Sequence, residues 1–281
     1  MPPVVEIEPL DGGLLRTRGA EVDIAFRMRG TGPAVVLLHG TSATHAVWEP
    51  ISEALADHAT VIALDQRGHG RSDKPEHGYS ARDFADDVIM LLDALKIDRA
   101  IIAGHSLGGR NAWVTAALYP ERVSGVVVVD YTPYVESAVI DELQERVAGG
   151  YRSFSSRDEI ELYLRERYPA IMRSAVERRA LWGYRPQDDG TLLPCADPHA
   201  MRQLIEGFRT SWADEFRAVG APMTHVRGPA SRIVSDTAWQ LAIADRPADR
   251  WVIVDGADHY VPEEFPDVVT AELDHALGFI P

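Results

Sequence analysis

Short runs rich in valine and isoleucine recur along this chain with helix-length amphipathic stretches between them, and that alternation leaves few folds open. The runs cover residues 22–28, 34–38, 60–64, 99–103, 125–129, 223–226 and 251–254. Several are apolar throughout, the pattern of parallel strands covered on both faces, where an outward polar residue would meet no solvent. Helical periodicity falls at 47–57, 81–96, 106–119, 236–244 and 264–277. Strand and helix in succession predict a doubly wound, mostly parallel α/β sheet. The rhythm breaks over 133–217, where charged, helix-favouring stretches at 140–148, 158–167 and 171–181 follow one another without a strand-like run. Pro169, Pro186, Pro194 and Pro198 interrupt that segment, so it predicts several short helices and loops set into the sheet domain. The expected division is a core of residues 1–132 and 218–281 with a helical lid insertion at 133–217.

With 281 residues, 46% of them hydrophobic, the chain can bury the core such a domain needs. The single cysteine, Cys195, has no partner for an intramolecular disulfide or for the start of a zinc site, which fits a reducing compartment. No signal-like leader and no bilayer-length apolar run is read, so a soluble, cytoplasmic protein with no membrane partner is expected. Asp and Glu number 43 against 28 Lys and Arg, a net charge of -15, which argues against nucleic acid as a partner. An anionic small molecule would then need a local group of arginines to offset a repulsive field. Nothing in the chain selects between a monomer and a homodimer.

The chemistry begins at Gly104-His105-Ser106-Leu107-Gly108-Gly109, which joins the run at 99–103 to a helical stretch. A serine on a strand-to-helix turn flanked by small residues is the nucleophile-elbow pattern, with the hydroxyl held at a helix N-terminus. A serine hydroxyl is a weak nucleophile at neutral pH, so it needs a base, and the base needs a group to fix its tautomer. His259, in Gly256-Ala257-Asp258-His259-Tyr260-Val261 directly after the last strand, lies on the same carboxyl edge of the sheet as the elbow. It is the expected base, while His105 and His39 adjoin the turns in supporting positions. An oxyanion hole needs two converging N–H groups, expected from Leu107, next to the serine, and from Thr41 in the loop His39-Gly40-Thr41-Ser42. The acid is the difficult member. In most chains of this layout it follows the strand read here at 223–226, but Ser231 stands where an aspartate is expected. A serine carries no charge to stabilise an imidazolium. Asp130, at the end of the preceding strand, is the expected carboxylate, with Asp236 and Asp255 as rivals.

These residues resemble the α/β-hydrolase superfamily across nearly the whole chain, with Asp65-Gln66-Arg67-Gly68-His69-Gly70-Arg71-Ser72 and Gly256-Ala257-Asp258-His259 as further matches. The fold implied is a doubly wound, mostly parallel sheet with a helical lid inserted after the sixth strand. The acid in Val129-Asp130-Tyr131-Thr132-Pro133-Tyr134, with Arg227-Gly228 and Ser231, is similar to members that cleave an amide of an unsaturated dicarboxylate without a metal or cofactor. That likeness implies a substrate-binding role for Arg146, Arg167 and Tyr168, and for Ser231. A departure is Thr41, where those members carry an aliphatic residue. The function implied is a serine hydrolase acting through an acyl-enzyme on a small anionic substrate. A carboxylesterase, lactonase or C–C bond hydrolase acting on a less charged molecule is the alternative, and a ligand-binding module that has lost turnover is the non-enzymatic one.

Overall fold

The structure, a computed structural model, describes residues 5–278. The central strands form where the apolar runs predict them: β4 is Ala34–Leu38, β5 is Thr60–Leu64, β6 is Ala100–His105, β7 is Val123–Val129, β10 is Met223–Arg227 and β11 is Arg250–Ile253. The run at 22–28 becomes β3, Ala25–Arg29. Before it come two strands not read from sequence, β1 (Glu6–Leu10) and β2 (Leu14–Arg18). Their mixed composition, with arginines and glutamates facing solvent, hid them from a search for continuous apolar runs.

Among the described residues, nine strands form one sheet in the order β1-β2-β3-β5-β4-β6-β7-β10-β11. The first three pair antiparallel, and the six from β5 to β11 are parallel. Side chains alternate across the sheet, so the buried strands feed two cores. Val36, Leu38, Ile62, Ile102, Val126 and Val128 belong to one core, and Val35, Leu37, Val61, Ala63, Ile101 and Val127 to the other. On the first side lie α2 (Ala81–Ala94) and α3 (Leu107–Leu118); α1 (Glu49–Leu55) and α11 (Pro266–Leu277) cover the second. Ser80 and Asp83 close a reciprocal capping box at the start of α2, satisfying two N–H groups that the helix leaves open.

Between β7 and β10 the chain forms α4 (Ser137–Gly150), α5 (Arg157–Arg167), α6 (Arg173–Trp182), α7 (Pro198–Glu206) and α8 (Ala213–Ala218). Two expectations need correction here. The segment is not strand-free, because β8 (Tyr184–Pro186) pairs antiparallel with β9 (Leu192–Pro194). Each is three residues long and ends in proline, too short to show a strand pattern in sequence. The insertion also leaves the sheet after the seventh strand in chain order instead of the sixth, since β1 and β2 add two strands to the five runs read before it. Helices α5 and α6 share a small core of Phe154, Ile160, Leu164, Ile171 and Val176, whereas Ile140 of α4 and Met201 and Leu204 of α7 join the main core. Phe216 of α8 is fully buried against Trp113 of α3. The chain then completes α9 (Asp236–Asp245) and a short turn of helix, α10 (Val261–Glu264). Among the described residues no helix is long and apolar enough to cross a membrane.

Candidate active site

The carboxyl ends of β4, β6, β7, β10 and β11 lie along one edge of the sheet, and each delivers one part of the site. His105 pairs with Val129 and Val129 with Val226, so Ser106 and Asp130 leave adjacent strands at the same level. Ser106 sits at φ 54° and ψ -117°, a strained conformation that its N–H, donating to Val129 O at 2.9 Å, helps to hold. The turn needs its flanking glycines for close approach. A Cβ on Gly104 would come 2.0 Å from Gly108 O, and one on Gly108 would come 2.1 Å from Leu38 O. Helix α3 therefore rests directly on β4 and β6, and Ser106 is held over the sheet edge.

Asp130 is completely buried and adopts φ 51°, a left-handed conformation that aspartate tolerates better than most residues. Its Oδ2 meets His259 Nδ1 at 2.5 Å and the Ser231 hydroxyl at 2.5 Å, and its Oδ1 accepts the Gly228 N–H at 3.2 Å. Ser231 Oγ itself accepts the N–H groups of Ile233 (3.2 Å) and Val234 (3.4 Å), so the hydroxyl proton is directed at Asp130. Burial pushes the Asp130 carboxyl up to about 8, against the opposing pull of Ser231, the Gly228 N–H and the nearby Arg227 guanidinium. The donors on both oxygens favour the carboxylate, the form that takes the imidazole proton on Nδ1 and leaves Nε2 unprotonated. Ser231 was expected among substrate contacts; the structure instead turns it onto Asp130, because two backbone N–H groups fix its oxygen there. The rivals lie elsewhere: Asp236 is exposed and paired with Arg227, and Asp255 is exposed beyond β11.

The loop after β4 closes over Ser106. A Cβ on Gly40 would lie 3.3 Å from Ser106 Cβ and 2.9 Å from His105 Nδ1, so the loop backbone touches the elbow. Two neutral histidines brace it. His39 donates from Nδ1 to Gly40 O (2.7 Å) and accepts the Gln66 N–H on Nε2 (3.0 Å). His69 donates from Nδ1 to Arg67 O (3.0 Å) and accepts the Ser42 N–H on Nε2 (3.1 Å). Burial lowers His39 to about 4 and His69 to about 3, so neither carries charge at neutral pH. Among the described residues the Thr41 N–H donates to no acceptor, and the Leu107 N–H, first in α3, has no acceptor within the helix. His105 Nε2 donates to His259 O at 2.8 Å, and the two rings lie 4.7 Å apart, tying the base to the elbow.

Above this edge, arginines from three lid helices gather around two tyrosines. Tyr168 and Tyr260 meet edge-to-face at 4.9 Å; Arg146 lies 5.3 and 5.7 Å from their ring centres, and Arg179 lies 4.5 and 5.1 Å from them. Arg167 donates from Nε to the Tyr168 hydroxyl (3.2 Å) and from Nη2 to Arg146 O (2.6 Å). Burial opposes ionisation of Tyr168, but the charges of Arg179, Arg167 and Arg146 prevail and hold its phenol below the ordinary value. A cavity of about 390 Å³ opens beside this group; Arg167, Tyr168, Arg179 and Arg202 line it, and no acidic residue does.

Residues 33–185 match the alpha/beta hydrolase fold family. Over 256 residues the chain is 43% identical to 2-(acetamidomethylene)succinate hydrolase of Mesorhizobium japonicum, covering 91% of this chain and 92% of that one. This chain belongs to the α/β-hydrolase fold family. A crystal structure of E-2-(acetamidomethylene)succinate hydrolase superposes on this hydrolase with a TM-score of 0.89 at 40% identity, over 98% of this chain and 99% of that one. The N-formylmaleamic acid deformylase of Pseudomonas putida S16 shares the fold at a TM-score of 0.71 and 19% identity, over 90% of this chain and 96% of that one.

Two members of the hydrolase's site went unread in sequence. Arg179 and Glu263 form a buried ion pair, Nε to Oε1 at 2.8 Å with a second contact from Nη2 to Oε2, that ties α6 to α10 just beyond His259. Arg179 lies in a charged helical stretch where nothing local marks it out; only Glu263, four residues after His259, hinted at a tie to the base. The arginines also set the base. Burial, then Arg146 and Arg179, lower His259 to about 3 against the opposing pull of Asp258. Burial and the two arginines oppose the imidazolium while the Asp130 carboxylate favours it, so the position of the acidic limb of kcat/KM reads the balance between them. Removing a positive neighbour relieves the imidazolium, so Arg146→Ala is expected to move that limb to higher pH. A pH profile on a neutral ester reads this apart from substrate charge; a limb that stays in place or moves down contradicts it.

Proposed function

We propose that this α/β hydrolase is a metal-independent serine hydrolase that cleaves an amide of a small dicarboxylate through an acyl-enzyme. Ser106 Oγ attacks the carbonyl carbon as its proton passes to His259 Nε2, with Asp130 holding the imidazole and stabilising its charged form. The carbonyl electron pair moves onto oxygen, which meets the N–H groups of Thr41 and Leu107. Collapse breaks the C–N bond as His259 returns the proton to the leaving nitrogen, and water activated by the same ring releases the acyl group. The lone Cys195, buried and without a disulfide, favours a cytoplasmic setting for this chemistry.

The observation that carries the substrate class is the state of the lid arginines. Arg146 and Arg167 form no ion pair among the described residues, and their sequence neighbours Glu145 and Glu166 do not engage them. An unpaired, half-buried guanidinium next to a second one is costly unless an anion joins it, and a planar fork suits both oxygens of a carboxylate. The relative at 43% identity is named for a succinate bearing an acetamidomethylene group, a dicarboxylate with an amide. Arg146→Ala and Arg167→Ala are each expected to lower kcat/KM for such a dicarboxylate by about ten- to a thousandfold, as when one side of a buried charge pair is removed. Hydrolysis of a small neutral ester at pH 8 should change little. Equal losses on both substrates would indicate damage to lid folding, and an unchanged rate on the dicarboxylate would remove the arginines from the site.

A further inference from the structure

In the loop after β4, some polar groups of the backbone have partners and others do not. The Gly40 carbonyl accepts the Ala43 N–H (3.2 Å) and the His39 ring, and the Ser42 N–H is taken by His69. Thr41, between them, lacks partners at two atoms. Among the described residues its N–H has no protein acceptor, and its Oγ1, although the residue is only half-buried, is sealed from solvent with no hydrogen-bond partner. A hydroxyl removed from water without a partner destabilises the fold, and threonine is unnecessary there for shape because valine has the same branching. Such a group persists where a transient partner arrives. Oγ1 and N of one residue are separated by three covalent bonds, so a single oxygen in front of Thr41 can accept from both.

We propose that the Thr41 hydroxyl is a third donor to the oxyanion, delivered by the residue that also supplies a backbone donor. This rests on the reading of Ser106 as the nucleophile. When Ser106 Oγ bonds to the carbonyl carbon, the π electron pair moves to the carbonyl oxygen and the Ser106 proton goes to His259. Thr41 keeps its own proton and donates a hydrogen bond that the neutral ground-state carbonyl accepts only weakly. The hydroxyl then acts on the transition state more than on binding, so its loss appears in kcat. Aliphatic residues at this point of the loop would leave two donors. Thr41 thus suits this hydrolase to a less reactive carbonyl, an amide rather than an activated ester.

The test uses Thr41→Val and Thr41→Ser in the full chain, with steady-state kinetics on any amide or ester the parent turns over, thermal melts, and fluorophosphonate labelling. Thr41→Val is expected to lower kcat on the order of a hundredfold, as for loss of one oxyanion donor, with KM changed by less than about threefold. Its melting temperature should equal or exceed the parent's, because the unpartnered hydroxyl is gone, and Thr41→Ser should keep most of the activity. Activity and stability moving in opposite directions is a signature that a structural role does not produce. A Thr41→Val enzyme with kcat within about threefold of the parent overturns the proposal, as does a fall in kcat accompanied by a lower melting temperature in both variants. If the parent takes no label on Ser106, the nucleophile reading itself is lost; a labelled Ser106 with an unaffected Thr41→Val enzyme rejects the third donor alone.

Discussion

Replacing Ser106 with alanine is expected to lower kcat by about a millionfold, the scale seen when a serine nucleophile is removed from an intact triad. In the proposed mechanism this hydroxyl is the reacting group. It stands on a strained turn held by Gly104, Gly108 and the Ser106 N–H bond to Val129 O. Ser42 belongs to the cavity wall, and Ser231 is committed to Asp130. The alanine keeps the helix, the turn and the two backbone donors, so the remaining rate measures what the oxyanion hole and binding contribute without a covalent step. Intact-protein mass measured during turnover should show one acyl adduct in the parent and none in the variant. An alanine variant with more than a few per cent of parental activity, or a fluorophosphonate adduct on another residue, would reject Ser106.

Asp130→Asn should cost about ten-thousandfold in kcat, the loss found when a triad carboxylate becomes an amide of the same shape. The hydrogen-bond directions explain why the amide cannot substitute. Gly228 N–H points at one oxygen, while the Ser231 hydroxyl and His259 Nδ1 share the other. An asparagine must set its NH2 either against the Gly228 N–H, donor facing donor, or against Ser231 and His259. In the second placement it drives the imidazole proton onto Nε2, the nitrogen that has to accept the Ser106 proton. Asp236→Asn and Asp255→Asn serve as controls, since one carboxylate is exposed beside Arg227 and the other is exposed past β11. Loss of turnover in either control, with Asp130→Asn still active and folded, would transfer the role.

The elbow at Ser106, the loop that carries His259 and the doubly wound sheet were legible because each is encoded locally. A glycine-flanked serine between an apolar run and a helix, a histidine just after the last strand, and alternating patterns of period two and 3.6 all survive without knowledge of what packs on them. Asp130 was reachable by elimination, through the missing aspartate at 231 and the rule that parallel strands end on one edge. The bond from Ser231 to Asp130 was not legible, because a hydroxyl has no local signature for its direction. Only the packing of Ile233 and Val234 N–H groups onto its oxygen decides that it donates to Asp130.

The sequence by itself therefore determined the succession of the apolar core strands and the helices beside them, the elbow, and the edge at which these strands end, since these depend on residues within a few positions of one another. Tertiary structure alone decided which distant charges meet. Arg146, Arg167 and Arg179 come from three lid helices and converge on Tyr168 and Tyr260, and Glu263 claims one of them while the other two have no ion pair among the described residues. In the chain all three look alike, each a basic residue on a charged helix with acids nearby. The difference arises from long-range packing, which brings a carboxylate to Arg179 and withholds one from its neighbours; burial then makes that pairing, or its absence, a large electrostatic effect instead of a small solvated one.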